Sequence, residues 1–238
     1  MIRVGTFAIC TGCAIAIGGC LTIENNNLPA PATVPDAGTP ETPETNNPAD
    51  AGPEASTQGP LRRTGTYYAT CLTELDRSDV DKAFSFLATT SFTRNTAGGD
   101  IEITLEALAL VDGKPPTSSA RSGIVGAPTP KFTGTTNAEG SFVATLADGQ
   151  KATFPGAANP ISGSDVELIT GNGVQVGLSG RYVEEKFCAR LTGRINQPAA
   201  ARRNLDPEQN FCIFSRIAEG DPAPTVTREE LTPANCPL

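Results

Sequence analysis

Between Asp100 and Val111 the apolar residues Ile101, Ile103, Leu105 and Ala107 fall on one face and Glu102, Thr104 and Glu106 on the other. A period of two marks a strand with one buried face. The same alternation runs through Phe84, Phe86, Ala88 and Phe92, through Phe142, Ala144 and Leu146, through Val174, Val176 and Leu178, and through Phe187, Ala189 and Leu191. Turn-forming groups separate these runs: Ala97-Gly98-Gly99-Asp100, Asp112-Gly113, Asp148-Gly149 and Asn172-Gly173. Asn-Gly and Asp-Gly accept the positive φ angles of tight hairpins at low cost. A short helix is expected around Ser78 to Ala83, capped by Ser78, ahead of the Phe-rich strand.

Short strands joined by turns over residues 61–238 predict an all-β fold, an antiparallel sandwich or a lipocalin-like barrel. That stretch is long enough to bury most of its unfolded surface around one core. Upstream the pattern changes. From Leu21 to Pro60 eight prolines alternate with Ala, Thr, Asn, Gly and acidic residues, and no apolar period survives. Such a segment buries too little surface to offset its ordering entropy and is expected to be a disordered spacer biased toward extended conformations. Its charges are Glu24, Asp36, Glu41, Glu44, Asp50 and Glu54, without Lys or Arg.

Residues 1–19 carry one charge, Arg3, followed by an apolar run from Val4 to Ile17. The run is too short for a membrane span and has the build of an export signal. It ends in Ile17-Gly18-Gly19-Cys20, which resembles the lipobox of bacterial lipoproteins: an aliphatic residue, two small ones and a cysteine. The resemblance covers the first twenty residues. It implies cleavage before Cys20, a diacylglycerol on the Cys20 thiol and acylation of the new amine. Leu21 and Thr22 after the cysteine, in place of Asp, imply an outer-membrane rather than inner-membrane address. Several acyl chains hold a protein where one alone holds it marginally. The domain plan is thus 1–19 signal peptide, 20–60 lipidated cysteine and linker, and 61–238 globular domain.

Cysteine parity agrees with this plan. Of seven cysteines, Cys10 and Cys13 leave with the signal and Cys20 takes the lipid. Cys71, Cys188, Cys212 and Cys236 remain, and four can pair completely in an oxidising compartment. The runs Lys186 to Arg194 and Asn210 to Arg216 flank a polar, Pro-containing segment. Paired as a hairpin centred near Ala200, they set Cys188 opposite Cys212, with Phe187 and Phe211 sharing the other face. The expected bridges are therefore Cys188–Cys212 and Cys71–Cys236, the latter stapling a first-strand cysteine to the tail. Cys71–Cys188 with Cys212–Cys236 is the competing arrangement.

The inventory for catalysis is short. The chain has no histidine, which removes the commonest general base, His-based triads and most zinc sites. No nucleophile-elbow or phosphate-loop motif occurs. Gly171-Asn172-Gly173 lies between two strand-like runs and is read as a hairpin turn. Asp76, Asp79 and Asp81 lack the glycine and terminal glutamate of a calcium loop and are read as a solvated acidic turn. Glu102 and Glu106 would stand about 13 Å apart along their strand, too far to share a proton. Lys186, Cys188, Arg190 and Arg194 share a face that would suit an anion only if it lined a cavity. These features point away from an enzyme and imply no cofactor and no metal. With a net charge of −8 there is no electropositive face for nucleic acid. The expectation is a lipid-anchored envelope protein whose β-rich domain binds a small molecule or a surface partner. The alternative is a structural component of the envelope without a small ligand.

Overall fold

The computed structural model describes residues 61–94 and 97–236. The signal peptide, Cys20 and the linker to residue 60 lie outside the described residues. Eight strands close into an antiparallel barrel. They are β1 (Leu61–Leu72), β2 (Phe84–Arg94), β3 (Gly99–Ala107), β4 (Phe132–Thr136), β5 (Ser141–Thr145), β8 (Gly177–Arg181), β9 (Lys186–Thr192) and β11 (Phe211–Arg216). Each pairs with the next barrel strand in the chain, and β11 returns to β1. Of the two architectures predicted, the barrel is the one formed. Closure leaves none of these strands with a free edge.

Three further strands, β6 (Lys151–Phe154), β7 (Val166–Ile169) and β10 (Arg194–Gln197), form a separate sheet in the order β10, β7, β6. They lie on two excursions, one between β5 and β8 and one between β9 and β11. Phe154, Val166, Leu168 and Ile195 from this sheet join the barrel core. The sheet is thus a lid across the end at which β1 finishes and β2 begins, where it meets Cys71, Phe84 and Phe86.

Alternation determines what fills the barrel. Tyr67, Ala69 and Cys71 of β1, Phe84, Phe86, Ala88 and Phe92 of β2, and Ile101, Ile103, Leu105 and Ala107 of β3 all belong to one buried cluster with Phe132, Phe142, Phe187 and Phe214. The Phe187 and Phe214 rings stack with centroids 4.5 Å apart. Outward positions on the open wall are polar: Thr89, Glu102, Thr133 and Thr135 are exposed or half-buried. This is the reverse of a lipid-spanning barrel, which turns its apolar residues outward.

Glycine permits the tight wall at two interior-facing positions. A Cβ on Gly134 would stand 1.8 Å from the Val143 carbonyl oxygen, and one on Gly180 would stand 2.2 Å from that of Cys188. Expected turns appear where predicted: Asp112 and Gly113, and Asn172 and Gly173, all have positive φ. The expected helix is a single 3-10 turn, Val80–Lys82. Asp79 rather than Ser78 caps it, accepting from the Asp81 amide.

The disulfide pairing differs from both arrangements expected from the sequence. The bridges are Cys71–Cys212 and Cys188–Cys236. β9 and β11 do pair antiparallel, as the hairpin argument required, but in a register one residue away: Cys212 lies opposite Ala189, and Cys188 opposite Ile213. A one-residue slip moves a side chain to the other face. Cys212 consequently points inward and meets Cys71, its direct partner on β1. Cys188 points outward and meets the tail. Phe187 shares its face with Phe214, not with Phe211.

Two loops cover the outer faces of the barrel. The β3–β4 connection lays Leu108 and Ile124 over Tyr68 and Leu87. The tail after β11 lays Val226, Leu231 and Cys236 over Leu72, Phe211 and Ile213.

Candidate functional site

An eight-stranded barrel is wide enough either to hold one small ligand or to be filled by its own side chains. Here the aromatic rings fill it. The internal space among Phe84, Phe86, Leu105, Phe154, Leu168 and Leu191 amounts to about 30 Å³, roughly the share of one water molecule in the liquid. Its lining is almost wholly apolar. No metabolite fits there.

The end opposite the lid is polar. The Tyr67 hydroxyl donates to the Glu184 carbonyl at 2.7 Å. It lies 2.9 Å from the Tyr182 hydroxyl, which therefore donates to it. Burial raises the Tyr67 phenol far above its ordinary value. Phe92 stacks on Tyr182 with centroids 4.4 Å apart. Above them Arg63 and Arg216 both pair with Glu184, and Arg181 donates to the Glu139 carbonyl at 3.1 Å. A cleft of about 300 Å³ lies over this group. Its charged lining is Arg63, Arg181, Glu139 and Glu184, two cations against two anions.

A larger space opens on the outside. A groove of about 830 Å³ runs along the polar end of β4, β5 and β8, lined by Thr135, Asn137, Ser141, Val143, Ser179 and the Gly98–Gly99 turn. Val143 is 60% exposed, one of three large apolar side chains that stand out among the described residues. Hydroxyls flank it on both sides, because Val143 pairs with Thr135 on β4 and with Ser179 on β8. The wall offers hydrogen-bond donors and acceptors around a small apolar centre. It is open and polar around one small apolar centre, unlike an enclosed apolar metabolite pocket.

The residues singled out from the sequence are dispersed. Glu102 pairs with Lys131 and Glu106 with Arg121, each at 2.9 Å on the outside of β3, so the two carboxylates serve separate ion pairs. Asp76 accepts from Ser78, Asp79 caps the 3-10 turn, and Asp81 pairs with Lys114. Among the described residues no group of three acids, cysteines or histidines has the spacing of a metal site. Gly171-Asn172-Gly173 forms a two-residue turn bridged by Gly171 and Val174. The face bearing Lys186, Cys188 and Arg190 is largely covered: Arg190 is buried and Cys188 half-buried, while Lys186 is exposed beside an open cleft of about 360 Å³. It is the seat of the tail: Lys186 pairs with Glu230, and Arg190 pairs with Glu208 and donates to the Cys236 carbonyl at 3.2 Å. Arg194 lies beyond Gly193 on the lid sheet. Cys20 lies outside the described residues.

The groove residues carry no signal in the sequence: Thr135, Ser141 and Ser179 belong to none of its alternating apolar runs and none of its motifs. Their position relative to one another depends on the β4–β5–β8 register, which jumps the lid excursion. No protein-family model matches this chain, and no curated protein or solved structure matches it either.

Proposed function

We propose that this chain is a lipid-anchored envelope protein, held through Cys20 and most consistent with an outer-membrane address, whose barrel acts as a binding module for a partner at the cell surface. The observation that carries the reading is the contrast in volume between the barrel interior at the lid end and the outer groove on β4, β5 and β8. The interior offers about 30 Å³ and the outer groove about 830 Å³. Recognition therefore takes place on the outside, and the partner is a macromolecule rather than an enclosed metabolite. No catalytic constellation competes with this reading among the described residues.

Capture from envelope extracts with the intact mature chain tests it. A protein retained by the wild type is expected to be lost with Val143→Arg or Ser179→Arg, changes that place a long cation in the groove without entering the core. Equal retention by wild type and variants removes the groove from the proposal. A small molecule bound one-to-one in native mass spectrometry overturns the surface reading altogether. Incorporation of a tagged fatty acid, abolished by Cys20→Ser, tests the anchor separately. The filled, lidded interior also favours a second reading, a structural envelope component. Under that reading groove variants change no partner, while loss of the chain changes the envelope's mechanical or permeability properties.

A further inference from the structure

The tail after β11 is built differently from the rest of the molecule. It is fastened first at Ile217, whose amide donates to the Thr66 carbonyl, and again at Ala223, whose amide donates to the Thr117 carbonyl. Beyond the Pro222-Ala223-Pro224 segment its backbone makes no ladder. The backbone hydrogen bonds of residues 225–236 close within the segment itself, from Glu230 to Thr227, Leu231 to Arg228, Asn235 to Thr232 and Cys236 to Pro233. Side chains hold it to the barrel. Val226, Leu231 and Cys236 cover Leu72, Phe211 and Ile213, Arg77 donates to the Leu231 carbonyl at 3.0 Å, and Lys186 pairs with Glu230. The only covalent tie is Cys188–Cys236.

The two disulfides differ at one sulfur: Cys236 is as buried as the barrel pair, at 0% exposure, and Cys188 is not. Cys71 and Cys212 are buried in the barrel at 3% and 1% exposure. Cys188 is half-buried on the outer face, and a cleft of about 360 Å³ lined by Lys186, Ile213, Glu230 and Asn235 opens onto it. A second cleft, of about 370 Å³, borders the other edge of the segment at Pro224, Thr225 and Val226. Thiol–disulfide exchange needs access to a sulfur, and Cys188, the less buried partner, lines the first of these clefts. Opening this bridge leaves the closed barrel covalently and topologically intact.

We propose that Cys188–Cys236 is a thiol-sensitive latch, and that the outer face of β1, β11 and β9 beneath residues 225–236 is an interaction surface for the same segment of a second copy of this chain. The occupant follows from shape and chemistry, because the one segment known to complement Leu72, Phe211 and Ile213 and to carry a cysteine opposite Cys188 is residues 225–236. A tail swinging about its proline pivot reaches its own seat or a neighbour's with the same contacts, which is the condition for segment exchange. The chemistry is balanced with a dithiol as reductant. Its thiolate attacks the Cys188 sulfur, forming a mixed disulfide and releasing the Cys236 thiolate. Its second thiol then displaces Cys188, so the reagent leaves as a disulfide and two cysteine thiols remain. Reoxidation by a disulfide reagent runs the sequence backwards, with Cys236 supplied by either copy.

The test uses the intact mature chain. Dithiothreitol is titrated at neutral pH, and free thiols are alkylated and mapped. Cys188 and Cys236 are expected to be alkylated at a reductant concentration at least tenfold below that needed for Cys71 and Cys212. The reduced chain, mixed as equal parts isotope-labelled and unlabelled copies at high concentration, is then reoxidised with oxidised glutathione. A dimer is expected, with peptides joining Cys188 of one isotope to Cys236 of the other. Opening of Cys71–Cys212 at the same or lower reductant overturns the latch, and reoxidation that yields only same-copy links overturns the exchange. A Cys188→Ser, Cys236→Ser variant supplies a second readout: a concentration-dependent dimer in sedimentation supports the interaction surface, and a monomer at every concentration refutes it.

Discussion

At the scale of single residues, the decisive positions are those where an added atom has nowhere to go or a polar atom has nowhere else to bond. Gly134 is the clearest. A methyl group there meets the backbone of β5 rather than a movable side chain, so Gly134→Ala is expected to destabilise the barrel by about 1–3 kcal/mol or more, read as a lowered thermal midpoint with the β-sheet spectrum retained below it. Tyr67 makes the second case. Its phenol is held neutral by burial, above the ordinary value of 10.0. The folded value exceeds the unfolded one, so the stability it confers is complete below pH 10 and declines as the pH rises above that toward the folded value. Tyr67→Phe is expected to cost about 1 kcal/mol at neutral pH through the lost hydrogen bonds and to make the alkaline decline shallower. A denaturant series at neutral and alkaline pH checks both parts, and an unchanged alkaline slope would remove Tyr67 from the account.

At the scale of elements, legibility tracked how differently the two faces of each strand are solvated. β3, β5 and β9 read clearly because one face is core and the other is wet or only partly covered, and β2 reads clearly because Ser85, Thr89 and Ser91 alternate with its inward residues, although Ser85 and Leu87 are buried. In β1 the run from Tyr67 to Leu72 is buried on both faces, so its alternation disappears and Cys71, at its end, had been placed near its start. β11 failed for the same reason. Phe211, Cys212, Ile213 and Phe214 are all buried, and nothing in their order tells which pair faces inward. The pairing of β9 with β11 was therefore foreseeable and its register was not, and the disulfides followed the register. The lid strands are four residues each and lie on separate excursions, so no local pattern announces that they meet. The tail makes a further prediction. Lys186, then the Thr227 amide, hold the Glu230 carboxylate below its ordinary value of 4.5. What this contributes is complete above pH 4.5 and is lost as the pH falls through the lower folded value. Protease cleavage after Arg228, an exposed residue, is expected to accelerate at acid pH in the wild type, while Glu230→Gln cleaves faster already at neutral pH and loses the pH dependence.

At the scale of the whole molecule, the barrel is a meander of neighbours joined by one long-range seam. Seven of its eight pairings join barrel strands that follow one another along the chain, and the eighth joins β1 to β11, with Cys71 and Cys212 separated by 141 positions. Local contacts form early, and pairings between distant segments wait for the loop between them to be spanned. Synthesis adds an order of its own, because β1 is made first and β11 nearly last. β2 can cover one side of β1 at once, but the other side stays open until almost the entire domain exists. This strand is twelve residues long and carries apolar side chains on both faces over its second half, a combination that pairs readily with foreign strands while unprotected. The risk of misassembly is thus concentrated in one interval, between the appearance of β1 and the arrival of β11, and on one edge. Holding that edge apart from other nascent chains is the help this sequence needs most from its surroundings.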